Sequence, residues 1–256
     1  MTVLSAEAGP PPGGETRSHT IGNALLGWFA SEQRAFPWRS TADPFAILIA
    51  EKLLQQTAAG DGVVRAFHGI LARYPDPARL AVADEAELLE FVQPLGLAYR
   101  VHELLALAAA LVERHAGRVP DDLAALRALP GVGDYAARAV LSFAFGQDVA
   151  VVDTNVARFL HRVFGLPGLI PANPARSARL LRLAATLLPP GRSRDYNLAV
   201  LDLCAKVCTA RRPHCSLCPI FALCNYGQQS STGDGGAAGF VDAPVPVTYQ
   251  PEDSSK

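Results

Sequence analysis

Apolar side chains recur at three- and four-residue spacing along most of the chain, which is the period of an α-helix packed on one face. Short stretches containing Pro or Gly separate the periodic segments, and no two neighbouring segments alternate with the two-residue period of paired strands. The pattern predicts an all-α protein. The expected helices span residues 21–30, 44–57, 62–74, 84–92, 99–116, 121–128, 134–145, 154–164, 175–188 and 194–207.

The two ends of the chain lack this pattern. Residues 1–19 are rich in Pro and Gly, and residues 228–256 are rich in Gly and Ser and then in Pro and acidic side chains. Segments of this composition bury too little apolar surface to fold by themselves. Both are expected to be disordered tails.

The order of elements between the tails predicts two helical domains with a groove between them. A connector ends the first run of helices near residue 147, and the helices beyond it lead into a cysteine-rich segment. The first domain is expected to comprise residues 37–147. The second is expected to combine residues 20–36 with residues 148–227.

Composition narrows the setting. Half of the 256 residues are apolar, which is enough for a substantial core, and the longest apolar stretches fall well short of the roughly 20 residues of a membrane span. The N-terminus lacks the blocks of a secretory signal, and all five cysteines lie within residues 204–224. These features favour a protein of a reducing cytoplasm that does not associate with membranes.

Charge neither predicts nor excludes binding to nucleic acid. The formal net charge is −1, whereas most DNA-binding domains are basic. Without the two tails, 21 basic side chains stand against 18 acidic ones. Such a balance is compatible with DNA binding but does not indicate it.

One motif indicates phosphate binding. Leu129-Pro-Gly-Val-Gly133 places two glycines around one apolar residue, and an alanine-rich helix follows. The glycines allow a tight turn between helices that leaves backbone N–H groups pointing outward, and such groups at a helix N-terminus bind phosphate. The motif predicts a helix-hairpin-helix that holds a DNA backbone without reading its sequence.

Two acidic residues are candidates for chemistry on a nucleotide. Asp153 follows the hairpin and also suits the N-cap of the helix that starts near Thr154. Glu51 lies in an otherwise apolar helix, where an isolated acid is costly unless it has partners or a function. The alternative interpretation of Glu51 is that it occupies an exposed position on the helix.

Four cysteines form a candidate metal centre. Cys208, Cys215, Cys218 and Cys224 lie within 17 residues, with the spacing C-x6-C-x2-C-x5-C. Zinc and a 4Fe-4S cluster are both chemically possible for four thiolates, although the spacing differs from the separated pairs of a zinc ribbon. Cys204 lies four residues before Cys208 on the same helix face and is interpreted as a core residue.

In this order, the hairpin, Asp153 and the four-cysteine segment resemble the helix-hairpin-helix, Gly/Pro-Asp DNA glycosylase superfamily. The resemblance is to its iron–sulfur branch, which includes endonuclease III and the MutY adenine glycosylases, and it covers about residues 20–227. It implies a 4Fe-4S cluster rather than zinc, and two α-helical domains. It also implies that a damaged or mispaired nucleotide is flipped into the cleft between the domains.

The resemblance implies roles for individual residues. Asp153 would stabilise the oxocarbenium-like state or briefly capture it, and Glu51 matches the glutamate with which adenine glycosylases protonate the base. Gln56 is similar to the glutamine that fills the gap in the duplex. Leu97 is placed like the wedge on the opposite side, and plain core packing is its alternative. The expected DNA contacts are Gln56, Leu97, Leu129, Gly131, Val132, Gly133 and Asn155.

Tyr135 bears on the reaction type. Bifunctional members of the superfamily carry a lysine at this position, which forms a Schiff base with the sugar and then nicks the strand. Tyrosine cannot form that imine, and lyase chemistry through the nearby Lys52 is not expected. The resemblance therefore implies a monofunctional glycosylase that leaves an abasic site for a downstream AP endonuclease. Simple packing of the hairpin is the alternative interpretation of Tyr135.

Several segments bear on which base is removed. Phe36-Pro-Trp-Arg39, Asp43-Pro44, Thr57-Ala-Ala-Gly60 and Arg194-Asp-Tyr-Asn197 look most like the archaeal thymine/uracil mismatch glycosylases. The Gln55-Gln56 pair resembles the adenine enzymes, but residues 96–100 lack their G-L-G-Y-Y pattern. Only an expected tail follows the cysteines, where the MutY type has a domain that recognises 8-oxoguanine. Thymine or uracil opposite guanine is favoured, and adenine opposite guanine or 8-oxoguanine is the alternative.

The expected partner is double-stranded DNA containing a mispair, bound by a monomer at the nucleoid of a bacterial or archaeal cell. Two hypotheses from other classes compete with the enzyme. One is a DNA-binding protein that carries the cluster and has lost catalysis, and the other is a zinc-stabilised helical scaffold. The joint presence of Glu51, Tyr135 and Asp153 favours the enzyme.

Overall fold

The computed structural model describes residues 14–96 and 98–231, and these residues form helices and short 3-10 turns without any strand. The predicted all-α class is confirmed. The α-helices of the described residues are α1 (Gly14–Glu32), α2 (Pro44–Leu54), α3 (Asp61–Arg73), α4 (Pro77–Ala81), α5 (Glu85–Val92), α6 (Arg100–His115), α7 (Leu123–Arg127), α8 (Asp134–Phe143), α9 (Thr154–Phe164), α10 (Ala178–Ala185), α11 (Ser193–Lys206) and α12 (Asn225–Ser231).

Helices extend into both segments that were predicted to be disordered tails. Residues 14–19 belong to α1, and residues 228–231 belong to α12. Long-range contacts explain the N-terminal extension, because Arg17 donates to the carbonyls of Val163 at 3.1 Å and Leu223 at 2.7 Å. The rest of both tails lies outside the described residues. Helices α4 and α12 were not predicted, since they are only 5 and 7 residues long and too short to show a period.

Aspartate side chains fix where many helices begin. Each accepts a hydrogen bond from a backbone N–H in the first turn, which satisfies one of the donors that a helix start leaves unpaired. These caps place the start of a helix within one residue, so the chain turns sharply between helices. The capping residues are Asp43 for α2, Asp76 for α4, Asp84 for α5, Asp122 for α7 and Asp153 for α9.

Helix α2 lies in the core and contacts α3 and α8. All of its residues from Phe45 to Leu53 are buried, including two charged ones. Helix α1 packs on α11, and α9 contacts α10, α11 and α12, so the N-terminal helix joins the C-terminal helices in space. One connected apolar cluster runs through α1, α2, α3, α8, α9, α10 and α11. The division into two domains at the predicted boundaries stays a prediction.

A buried carboxylate joins the segment before α2 to α11. Asp202 is completely buried and accepts hydrogen bonds from Arg34 Nε at 2.5 Å and from both terminal nitrogens of Arg39 at 2.5 and 2.8 Å. Arg194 also donates to the backbone carbonyl of Arg39 at 2.9 Å. The two arginines thus neutralise Asp202, and together these bonds hold Arg39 beside the start of α2.

None of the helices formed by residues 14–96 and 98–231 combines the length and the apolar character that crossing a bilayer demands.

Replacement of Asp202 by Asn should lower the free energy of unfolding by about 3–5 kcal/mol, because Arg34 and Arg39 lose the charge that neutralises them in a buried site. Urea unfolding measures this change. Asp195→Asn on the same helix is the matched control, since Asp195 forms an exposed ion pair with Arg192 and should cost less than about 1 kcal/mol. Equal losses for the two variants would contradict the buried anchor.

Candidate active site

The predicted hairpin is present between α7 and α8. Gly131 has a φ of +67°, a left-handed conformation that favours glycine, and the N–H of Val132 donates to the carbonyl of Leu129 at 3.2 Å. Leu129 and Val132 are buried and anchor the turn, whereas Gly131 and Gly133 are exposed. Gly133 caps α8 without a side chain. The exposed turn therefore presents the start of α8 and its N–H groups to a phosphate.

Glu51 is a buried acid on α2, with an exposed fraction of 7 %. The pKa of its carboxyl group is raised from 4.5 to about 8, chiefly by burial and then by the nearby negative charge of Asp153, against a smaller lowering by Arg39. The carboxyl group is therefore mostly protonated at neutral pH. Such a group is suited to give a proton to a departing base.

Asp153 caps α9 and also faces the site. One carboxylate oxygen accepts from the N–H of Val156 at 2.7 Å, and the other accepts from the side-chain amide of Asn155 at 2.9 Å. The carboxylate is half-buried. The two alternative interpretations of this residue, helix cap and member of a site, are therefore compatible.

Tyr135 lies in the first turn of α8, directly after the hairpin. Burial raises the pKa of its phenol well above the usual value of 10, and the charges of Glu51 and Asp153 act in the same direction. The phenol therefore stays neutral at any working pH. The mutual influence of Glu51, Tyr135 and Asp153 means that α2, α8 and α9 bring these three predicted residues together.

Only some of the predicted DNA contacts lie beside Glu51 and Asp153. Gln56 lies after the end of α2, is exposed, and has a left-handed φ of +57°. That conformation is uncommon for a residue with a side chain and is often found at functional sites. Asn155 is exposed beside Asp153. Leu97 lies outside the described residues.

Two arginines of the site were not predicted individually. Arg39 approaches closely enough to lower the pKa of both Glu51 and Tyr135. Arg158 donates to the side-chain oxygen of Asn155 at 3.0 Å and to the carbonyl of Cys208 at 3.1 Å. A line of hydrogen bonds thus runs from Asp153 to the first cysteine of the cluster segment. The position of Arg158 shortly after Asp153 in the sequence could have indicated that it lies near the site. Asn155, which bonds to both Asp153 and Arg158, is identified as their common partner only in the structure.

The four predicted cysteine ligands line one cavity, together with Arg162. Among the described residues, no three His, Cys, Asp or Glu side chains converge closely enough to hold a single metal ion. Four thiols around one cavity are the donor set of an iron–sulfur cluster.

The surroundings of the thiols also fit a cluster. Burial raises the pKa of Cys218 to about 11, so its thiolate needs a positive centre. Backbone N–H groups of Ile220, Tyr226 and Gly227 partly offset this effect at Cys218 and Cys224. Arg162 Nη1 lies 3.4 Å from the sulfur of Cys208. N–H groups directed at sulfur are among the contacts that tune such clusters.

Comparison with known proteins gives two family matches. The model of the HhH-GPD superfamily base excision DNA repair proteins matches residues 49–184. The model of the iron-sulfur binding domain of endonuclease III matches residues 208–224. The first match spans the hairpin and all three residues of the candidate site, and the second spans the four cysteines.

Curated relatives of this chain are DNA glycosylases. A thymine-DNA glycosylase of Aeropyrum pernix is 38% identical over 82% of this chain and 95% of its own length. A thymine/uracil-DNA glycosylase of Pyrobaculum aerophilum is 41% identical over 77% and 87%. The human adenine DNA glycosylase is 38% identical over 80% of this chain but 39% of its own. A solved thermostable thymine-DNA glycosylase superposes with a TM-score of 0.79 at 33% identity, covering 85% of this chain and all of that one.

The raised pKa of Glu51 predicts a pH-dependent cost in stability. Between pH 4.5 and about 8 the unfolded chain releases the proton of Glu51 while the folded protein keeps it, so the free energy of unfolding falls as pH rises through this window. Glu51→Gln removes this dependence. Calorimetry should therefore show that the Tm of the variant, relative to wild type, increases from pH 4.5 to above pH 8. The increase should be about 2–4 °C for each kcal/mol of difference in the free energy of unfolding.

Glu90→Gln is the control for this measurement, because Glu90 is an exposed acid and its replacement should leave the Tm–pH curve parallel to that of wild type. Parallel curves for Glu51→Gln would contradict the burial of an ionisable proton at this position.

Proposed function

The chain belongs to the HhH-GPD superfamily of base excision DNA repair proteins, and we propose that it is a monofunctional mismatch glycosylase that removes thymine or uracil opposite guanine. DNA N-glycosylase activity is the common property of its relatives. The observation that carries the proposal is the pair of carboxyl groups of Glu51 and Asp153, which lie close together in opposite environments. A buried carboxyl group with a raised pKa, beside a half-buried carboxylate that accepts hydrogen bonds, suits an acid and a charge stabiliser.

In the proposed reaction, Glu51 enters as the neutral acid. It donates its proton to the departing base, and the N-glycosidic bond breaks with its electron pair going to the base. The sugar is left with positive charge near C1′, which the carboxylate of Asp153 stabilises. Water then adds its oxygen to C1′ and releases a proton. The products are the free base and an abasic site.

The residue at position 135 supports release without strand cleavage. Tyr135 occupies the first turn of α8, and its phenol is neutral and cannot form an imine. Lys52 follows Glu51 in sequence, but its Nζ donates to the backbone carbonyl of Gly131 at 3.0 Å. That amine is completely buried in the hairpin. As proposed, an AP endonuclease would process the abasic site afterwards.

Contact with DNA is proposed to come from the hairpin and the turn after α2. The exposed residues Gly131 and Gly133 would take a phosphate, anchored by the buried Leu129 and Val132, and Gln56 would enter the duplex. Asn155 would lie beside the flipped nucleotide. The protein would act on double-stranded DNA as a monomer at the nucleoid of a bacterial or archaeal cell.

A 4Fe-4S cluster belongs to this chain, as the match at residues 208–224 indicates. We propose Cys208, Cys215, Cys218 and Cys224 as its ligands. When bound, the cluster supplies covalent cross-links within a segment that holds only short 3-10 turns. The Cys208 carbonyl accepts from Arg158, whose other contact is Asn155, so the loop helps to orient the neighbourhood of Asp153.

Two observations separate the candidate bases. Relatives that act on thymine or uracil align over 87–95% of their own length, and the human adenine enzyme aligns over 39%. Thymine or uracil opposite guanine is supported instead by the superposition on the solved thymine-DNA glycosylase and by residues 36–39, 43–44, 57–60 and 194–197. The Gln55-Gln56 pair favours the second candidate, which is removal of adenine opposite guanine or 8-oxoguanine.

The test is a panel of duplexes with thymine, uracil or adenine opposite guanine, and adenine opposite 8-oxoguanine, each assayed with and without alkali. Release of thymine and uracil is expected, with strand breaks only after alkali. Asp153→Asn should slow release by at least about 100-fold, whereas Asp148→Asn, an exposed aspartate, should not.

Release of adenine alone would favour the second candidate. Breaks without alkali would overturn the monofunctional assignment. Unchanged release by Asp153→Asn would overturn the catalytic site.

A further inference from the structure

A buried lysine next to Glu51 takes no part in the reaction described above. Lys52 lies in the apolar helix α2 and has no exposed surface, which is unusual for a charged side chain. Its Nζ donates to Glu103 Oε2 at 2.7 Å, to the backbone carbonyl of Gly131 at 3.0 Å and to Gln55 Oε1 at 3.2 Å. An ammonium group has three N–H donors, so each of them has an acceptor.

The three acceptors belong to three different parts of the DNA-facing region. Gly131 is in the turn of the hairpin, and Gln55 directly precedes the exposed Gln56. Glu103 lies in the first turn of α6. Gln55 Nε2 also donates to the carbonyl of Gly131 at 3.3 Å. One buried ammonium thus ties the hairpin turn to the end of α2.

The hairpin turn closes directly onto this ammonium. A Cβ atom at Gly131 would lie 2.4 Å from Lys52 Nζ and 3.5 Å from Glu103 Oε2. The φ of +67° favours glycine here, and a larger residue would also displace the Lys52 ammonium from its present position. Burying the charge of Lys52 is costly, and its three hydrogen bonds offset that cost.

A second buried cation acts at the same end of α2. Arg100 is completely buried and donates to the carbonyl of Leu53 at 2.8 Å. Cations near a helix C-terminus offset the partial negative charge of its last carbonyls. The turn that follows contains Gln56 in its left-handed conformation, which is unfavourable unless surrounding contacts hold it.

We propose that Lys52 is a positioning residue that locks the hairpin turn, residues 129–133, to the turn after α2, so that the two turns meet the duplex as one rigid edge. This inference rests on the proposed function, since it concerns how that DNA is held. Lys52 has no exposed surface and cannot neutralise a phosphate itself. Its effect on DNA binding is transmitted through the backbone of the hairpin and through Gln55.

Lys52→Met tests the lock, because Met has a similar length and lacks the charge and all three donors. The Kd for a duplex containing a non-hydrolysable abasic analogue should rise about tenfold, the size of one lost charge-assisted hydrogen bond. The single-turnover rate of base release at saturating enzyme should fall by less than the affinity does. Amide hydrogen exchange should become faster at residues 55–57 and 131–133 and stay unchanged in α9 and α11.

Lys206→Met is the matched control. It also removes a lysine–glutamate pair, that of Lys206 with Glu32 at 2.5 Å, which joins α11 to α1 away from the hairpin. The Kd should change less than about twofold, because exposed pairs contribute little. Glu103→Gln is a second, milder test, since it keeps an acceptor for Lys52 and removes the opposite charge. Its Kd should rise about threefold, with faster exchange at the same two turns.

Wild-type affinity and wild-type exchange at the two turns in Lys52→Met would overturn the proposal. Faster exchange spread evenly over the protein, in Lys52→Met and in Glu103→Gln, would also overturn it, because that result describes a general loss of stability. Failure of the proposed function is distinguishable, since it would appear as absent base release by the wild-type protein on every mispair.

Discussion

The burial of one carboxylic acid constrains the whole site. Helix α2 is apolar and lies in the core, so Glu51 is removed from water. Its pKa is raised to about 8, and it therefore keeps its proton at neutral pH. Asp153 remains half-buried and receives two hydrogen bonds from its own helix start. The negative charge of Asp153 adds to the raised pKa of Glu51, because a like charge nearby disfavours the ionised form. The site is thereby divided into one proton donor and one carboxylate.

The surrounding contacts preserve this division. Arg39 lies near enough to Glu51 to lower its pKa, but both of its terminal nitrogens bind Asp202. The terminal nitrogens of Arg39 are thus directed at Asp202, and no ion pair between Arg39 and Glu51 is present among the described residues. The carboxylate of Asp202 therefore stabilises the fold. It also binds the terminal nitrogens of Arg39, whose positive charge lowers the pKa of Glu51.

Local patterns in the sequence predicted the elements that carry the chemistry. The Gly-x-Gly motif indicated the hairpin, the lone acid in an apolar helix indicated Glu51, and cysteine spacing indicated the cluster segment. Contacts between distant residues were not predictable in this way. The partners of Lys52 lie as far away as Gly131, and Arg39 meets Asp202 across most of the chain. Such pairs depend on how helices pack, and a lysine on an apolar helix gives no local indication of its acceptor.

The central claim is that Glu51 acts as a protonated acid, and the pH dependence of single-turnover base release tests it most directly. The wild-type rate constant should stay level up to neutral pH and fall above about pH 8, in proportion to the loss of the protonated carboxyl group. Glu51→Gln should release base slowly and without this fall. A wild-type rate that stays level well above pH 8, or an unchanged fall in Glu51→Gln, would contradict the account.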